Sequence, residues 1–395
     1  MCTLKTISPS LYYVGVNDRT KHRFEGLWPL PYGVSYNSYL IVSDRVALID
    51  TVDAPFSRQL IKQIEQAIGD RAVDYLVINH MEPDHSSSIA AVKMRWPNVR
   101  IVGNAKTLTM LSGFYGLCEG CQEIKEGETL SLGGRTLRFS MIPMVHWPET
   151  MVTYCIEDKI LFTGDAFGCF GALNGAVTDD AMNVERYWDE MIRYYSNIVG
   201  KYGVPVQTAL RKLSSLELQA LCPTHGPVWR EHIQAVISMY DRMSRYEVSR
   251  GAVIAYGSMY GNTERMAEQI ASALSERGVR DICMHNLSSS DVSFVLRDIF
   301  KYDTLVIGSP TYNGELFPPV ASLLEQIAGR AVPARNFGYF GSYSWAGTAV
   351  KKLAAFGEKM GWPSAGPIEL KHGYSRDKLS GIADMADLLV ERMGM

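Results

Sequence analysis

Asn79-His80-Met81-Glu82-Pro83-Asp84-His85 places two imidazoles and two carboxylates within six positions. The run before it, Tyr75-Leu76-Val77-Ile78, is short, apolar and β-branched, and predicts a buried strand. After it, Ser86-Ser87-Ser88 predicts the cap of a helix running to about Trp96. The four polar side chains are therefore expected in a strand-to-helix loop stiffened by Pro83. Imidazole and carboxylate at this density suit a first-row metal bound through nitrogen and oxygen.

Three further segments downstream carry the same chemistry: Val145-His146-Trp147-Pro148, Thr163-Gly164-Asp165 and Pro223-Thr224-His225-Gly226. Each alone has a plain structural reading, as a hydrogen-bonded core histidine or a turn aspartate. Together they make seven ligand-type side chains in loops after or between strands.

Composition sets the frame. The 395 residues suffice for two or three domains, and 47% hydrophobic residues describe a globular chain with ample core. A net charge of -3 argues against nucleic-acid and anionic-membrane partners. Neither an apolar signal segment nor a bilayer-length apolar run is seen, so a cytoplasmic location is expected. Seven scattered cysteines, an odd number, suit a reducing compartment. Cys118 and Cys121 form a lone Cys-x-x-Cys, expected as two loop thiols because a tetrathiolate site needs a second pair. Cys169, close after Asp165, is not assigned as a ligand, and His22 and His232 are left structural.

The N-terminal part reads as many short strands, among them 11–16, 35–42, 46–50, 100–102, 129–132, 136–141, 151–156 and 160–163. Helices are expected over about 57–67, 106–114, 183–198 and 232–246. No Gly/Ser- or Pro-rich linker follows. The pattern changes near Ser249–Gly251, which divides the chain into 1–249 and 250–395.

From there strands and helices alternate, which predicts a parallel sheet covered on both faces. Strands are expected at 252–256, 281–285, 304–307 and 337–340, and helices at 264–277, 292–300, 320–327, 346–356 and 380–393. The first strand leads into Gly257-Ser258-Met259-Tyr260-Gly261-Asn262-Thr263, a loop of small and hydroxyl residues before a helix. Such a loop forms an anion nest. It has no lysine before the Ser/Thr, so it differs from a triphosphate loop and suits a monophosphate such as that of FMN. Pro310-Thr311-Tyr312-Asn313-Gly314 and Gly341-Ser342-Tyr343-Ser344-Trp345-Ala346-Gly347 follow the third and fourth strands. There they reach the carboxyl-end crevice, where Tyr312, Tyr343 and Trp345 are candidates to flank a flavin ring.

The seven ligand-type positions resemble the metallo-β-lactamase superfamily pattern His-x-His-x-Asp-His, with Glu82 at the second position. An added anionic oxygen ligand moves the expected metal from zinc toward iron. The Gly257–Thr263 loop resembles the flavodoxin phosphate loop. Both halves, in this order, resemble the flavodiiron proteins over almost the whole chain.

That resemblance implies an αββα sandwich followed by a flavodoxin-like doubly wound sheet. It implies one iron on His80, Glu82 and His146, a second on Asp84, His85 and His225, and Asp165 bridging them. It further implies FMN, reduction of dioxygen to water or of nitric oxide to nitrous oxide, and electrons from an external carrier such as rubredoxin. A head-to-tail homodimer follows from it too, possibly a dimer of dimers, and the chain resembles the minimal two-domain form. Many members carry Phe-His-Gly near the N-terminus where this chain has Phe24-Glu25-Gly26, which leaves the substrate preference open. A zinc hydrolase that kept a flavodoxin domain and a pure flavin electron carrier are the rival readings.

Overall fold

The computed structural model describes residues 4–373 and 381–395. The chain forms two compact units, Met1–Arg245 and Tyr246–Met395. Ser249, the last residue of the expected first part, opens the first strand of the second unit.

The first unit is an αββα sandwich. Its seven-stranded sheet runs in the order Lys5–Ser8, Leu11–Tyr13, Tyr39–Val42, Val46–Ile49, Tyr75–Val77, Arg100–Gly103, Cys121–Glu123. Pairing is antiparallel up to Val46–Ile49 and parallel beyond it. The five-stranded sheet runs Thr129–Ser131, Thr136–Met141, Met151–Cys155, Ile160–Gly164, Ala220–Pro223. Its last two strands are parallel and the others antiparallel. Met151–Cys155 and Ile160–Gly164 are buried at every residue, as strands covered on both faces must be.

Several expected elements shift. The 11–16 strand is two strands, Leu11–Tyr13 and Val16–Asp18, and the 35–42 strand is broken between Val34–Tyr36 and Tyr39–Val42. At the second break Asn37 turns inward, its Nδ2 donating to the carbonyls of Pro223 and Gly226 at 2.8 Å each. Buried amide satisfaction there outweighs strand continuity. Cys121 lies in an edge strand, while Cys118 is an exposed free thiol.

The second unit has five parallel strands in the order Ile282–Asn286, Ser249–Tyr256, Tyr302–Tyr312, Asn336–Tyr343, Ser364–Lys371. The order reverses beside Ser249–Tyr256, a topological switch point. Ile254, Met266, Ile270, Leu274, Val306, Phe340 and Leu389 pack one side of the sheet. Each such fully buried aliphatic or aromatic side chain contributes about 1.5–3 kcal/mol. Ser364–Lys371 is a strand the sequence did not announce, because its burial alternates only in part and Pro367 interrupts it. The last helix is Gly381–Arg392; Ser380, the expected first residue, lies outside the described residues. Among the described residues no helix is long and apolar enough to cross a membrane.

Candidate functional site

The seven side chains of the first unit meet at the carboxyl ends of strands from both sheets. Tyr75–Val77 leads into 79–85, Ile160–Gly164 into Asp165, and Ala220–Pro223 into His225. His146 comes from the loop between Thr136–Met141 and Met151–Cys155. The sheets are stitched at this edge by Asn79. Its carbonyl accepts from Met151 N at 3.0 Å, its Oδ1 from Thr153 Oγ1 at 2.7 Å, and its own amide donates to Asp50 Oδ1 at 2.7 Å.

The expected loop is in part helical. Pro83–Ser86 forms one turn with Pro83 at its start, and the longer helix is Ile89–Arg95. Pro fits the first helical position, where its missing N–H costs nothing. On that turn Asp84 Oδ1 lies 3.4 Å from His85 Nε2. Ser88 precedes Ile89–Arg95 but its hydroxyl meets Ser57 Oγ at 2.8 Å and does not cap the helix.

The ligand-type atoms fall into two groups, His80–Glu82–His146–Asp165 and Asp84–His85–His225, each with its atoms within 4.8 Å of one another. All seven residues are buried. Asp165 faces both groups: Oδ2 is 3.0 Å from His146 Nε2 and 3.4 Å from His80 Nε2, and Oδ1 is 3.0 Å from His85 Nε2 and 3.7 Å from His225 Nε2. Thr224 Oγ1 donates to Oδ1 at 2.5 Å and holds the carboxylate's orientation.

Charge explains the electrostatics. Burial pulls the His80 imidazole down, but Asp165, Glu149 and Glu82 outweigh it and hold it well above its ordinary value. Burial likewise opposes His85 and His146, yet neighbouring carboxylates, Asp84 and Asp165 for the first and Asp165 and Glu82 for the second, lift each to about 9. Burial works to raise Glu82 and Asp165, and the surrounding imidazoles overcome it, keeping both well below the usual carboxylate range. The pocket thus demands positive charge.

The donor set fits two cations. Both oxygens of Asp84 are buried without a hydrogen-bond partner. The Nε2 atoms of His85 and His225 lie 3.1 Å apart and both face Asp84. Two ring nitrogens that close are reconciled by a shared proton or by a cation that both ligate. Beside this cluster is a cavity of about 220 Å³ lined by Lys21, Phe24, Glu25, Asp53, Glu82, Pro83 and Asp84. Glu25 accepts from Trp28 Nε1 at 3.0 Å, and burial, then the charge of Glu82, raises its pKa.

Sequence reading missed the outer partners. Glu149 Oε1 stands 2.8 Å from His80 Nδ1, His225 Nδ1 donates to the Ser35 carbonyl at 2.7 Å, and the unpartnered hydroxyls of Tyr36 and Tyr194 are buried nearby. Only the short spacing from His146 to Glu149 hinted at the first. Cys169 is buried against Gly226, whose φ of +77° and lack of a Cβ let the His225 loop pass that sulfur. His22 and His232 are in neither ligand group; His232 Nδ1 pairs with Asp179 Oδ2 at 3.0 Å.

In the second unit, a cleft of about 460 Å³ gathers Ser258, Met259, Tyr260, Asn262 and Thr263 with Pro310, Thr311, Asn313, Gly314, Ser342, Tyr343, Ser344, Trp345 and Ala346. Gly261, Tyr312 and Gly347 do not line it. Gly261 sits at φ +85° as the residue before the helix Asn262–Glu276, and Tyr312 meets Phe317 edge-on at 5.9 Å. Pro310–Tyr312 and Gly341–Tyr343 are strand ends, a correction to the loops expected there, because ladder pairing continues to Ser342 and Lys371. Thr263 Oγ1 and Ser342 Oγ are 2.9 Å apart, joining two of the three segments. His372 also lines the cleft and gave no signal in the sequence.

Comparison with known proteins matches most of each unit to a family. Residues 34–226 match the ODP family beta lactamases and residues 254–376 match flavodoxin. The nitric oxide reductase of Moorella thermoacetica is 33% identical, with 88% of each chain covered. The chain belongs to the flavodiiron protein family. It is accordingly an oxidoreductase. The rubredoxin oxygen:oxidoreductase of Desulfovibrio gigas superposes with a TM-score of 0.94 at 29% identity, covering 99% of both chains. The flavodiiron protein of Giardia intestinalis gives 0.95 at 28% identity, covering 100% of this chain and 97% of the other.

Proposed function

We propose that the chain reduces dioxygen to water, nitric oxide to nitrous oxide, or both. His80, Glu82, His146, Asp84, His85, His225 and Asp165 would hold two irons. The cleft of the second unit would hold FMN, and a rubredoxin-like carrier would supply electrons in the cytoplasm. The observation that carries this reading is Asp165, which turns one carboxylate oxygen toward each trio of buried donors. A bridging carboxylate lets two cations approach while offsetting their repulsion. When bound, two ferrous ions and reduced FMN together supply the four electrons that dioxygen needs to become water.

The protein's own residues then have plain tasks. The rings of Phe24, Tyr36 and Tyr194 lie 5.2, 5.9 and 5.6 Å from that of His225 and keep bulk water from that side. The small cavity beside Glu82 and Asp84 suits a diatomic molecule. Glu25, protonated more readily than an ordinary glutamate, lines it. In the other unit, Thr263, Ser258 and the amides before Asn262–Glu276 would hold the flavin phosphate.

Anaerobically purified protein is expected to contain about two irons and one FMN per chain, and, once reduced, to consume dioxygen or nitric oxide at an electrode. Zinc in place of iron, with hydrolase activity only, overturns the reading.

Metal and flavin sites belong to different compact units, so transfer between chains of a head-to-tail homodimer is part of the proposal. A His80→Ala/His85→Ala chain and a Thr263→Asp chain dialysed free of its weakened FMN, each inactive, are refolded together. Random pairing makes about half the dimers hybrid, each with one intact junction, so roughly a quarter of wild-type activity returns. No recovery in proven hybrids rules transfer across chains out.

A further inference from the structure

The histidines of the metal cluster are not backed alike. His225 gives its Nδ1–H to a neutral acceptor, the Ser35 carbonyl. His85 Nδ1 is buried with no hydrogen-bond partner. His80 Nδ1 instead lies 2.8 Å from a carboxylate oxygen, Glu149 Oε1, and both side chains have no solvent exposure. The same oxygen accepts from Met81 N at 2.9 Å, so one atom fixes both the ring and the backbone beside it. Glu149 is itself anchored: its carbonyl accepts from Asn104 Nδ2 at 2.6 Å, and Asn104 Oδ1 caps the helix Ala105–Tyr115 through Lys106 N and Thr107 N. The loop that carries His146 thereby also carries the carboxylate behind His80.

We propose that Glu149 is a positioning residue that makes the two metal positions inequivalent; this rests on the metal reading above. Accepting the Nδ1 proton sets the His80 tautomer and leaves the Nε2 lone pair aimed at Glu82 and Asp165, 3.3 and 3.4 Å away. A carboxylate behind an imidazole raises its basicity as a ligand, a backbone carbonyl does so less, and an absent acceptor not at all. The position built from His80, Glu82 and His146 therefore holds its metal more tightly. The position built from Asp84, His85 and His225 is the one that exchanges first.

The test is metal release. Protein loaded anaerobically with ferrous iron is challenged with a chromophoric chelator. The wild type is expected to release its iron in two phases, one metal per chain in each. Glu149→Gln keeps an acceptor for Met81 N–H and removes the charge. It is expected to accelerate the slow phase by about 10–100-fold and leave the fast phase within about twofold. FMN absorbance stays as in the wild type. Glu149→Asp keeps the charge at shorter reach, is expected to fall between, and decides the matter if Glu149→Gln does not fold. Single-phase release by the wild type, or equal acceleration of both phases, overturns the inference. Wild-type protein that retains no pair of metals overturns the metal reading as well, which separates the two failures.

Discussion

The two units solve opposite problems. The first buries charge: seven titratable side chains from distant segments share one pocket, with Glu149 behind His80 and the Ser35 carbonyl behind His225. The second exposes an anion site built of small residues, hydroxyls and strand ends at an open cleft, with Trp345 91% and Tyr260 87% exposed. Removing one donor from a buried charge cluster leaves the others uncompensated. Altering one residue of an open cleft is softened by water. The contrast teaches that the first unit is intolerant of single changes and the second graded in its response.

The largest effect is expected from Asp165→Asn, which takes the shared carboxylate from both groups. Diatomic turnover falls by more than the 10–100-fold typical of losing an outer partner, and iron content drops, while the flavin spectrum stays. Elemental analysis and an oxygen or nitric oxide electrode check it. Wild-type rates in this variant erase the distinction between the units.

Next is Thr263→Asp. Thr263 is buried and touches Ser342, so an aspartate there sets negative charge against the flavin phosphate. FMN affinity falls by about 10–100-fold, or about 1.4–2.8 kcal/mol, with iron unchanged. Flavin fluorescence during dialysis reports it, and full retention of FMN removes this loop from the site.

A smaller effect is expected from pH, and it sharpens the contrast because it belongs to the first unit. In metal-stripped protein His85 and His146 are raised to about 9 from an unfolded value of about 6.5. Their stabilisation is complete below about pH 6.5 and is lost as pH climbs through about 9. Glu82 and Asp165 are depressed, so their part is present above about pH 4 and lost below it. Melting of the stripped first unit should therefore be highest near pH 5–6 and lower at pH 9. Iron-loaded protein should show the reverse slope between pH 6 and 8, because ligating imidazoles must be neutral. Parallel slopes in both forms contradict the assignment.

The smallest effect is Gly261→Ala. A Cβ at Gly261 meets nothing within 4 Å, so only the φ of +85° resists it. The cost is about 1–2 kcal/mol of stability in the second unit, read by its melting transition, with iron content untouched.

The legibility of the two units differs for the same reason. Glu82, Asp84 and His85 are close in sequence, and strand, turn and ligand signals coincide there, so the cluster was readable. Glu149 was not, because its role depends on the loop bringing its side chain behind His80, 69 positions away in the chain. His372 was silent because it joins the cleft only when Ser364–Lys371 pairs beside Asn336–Tyr343.

The sequence by itself determined the residue types, their clustering along the chain and the order of the two halves, because hydrophobic period and ligand chemistry are local properties. The tertiary structure alone decided which oxygen of Asp165 serves which trio, that Pro83–Ser86 coils into a turn, and what stands behind each imidazole. Those are distances of a few ångströms between segments far apart in the chain. They are set by how the strand ends of two sheets meet at Asn79, which no single stretch of sequence encodes.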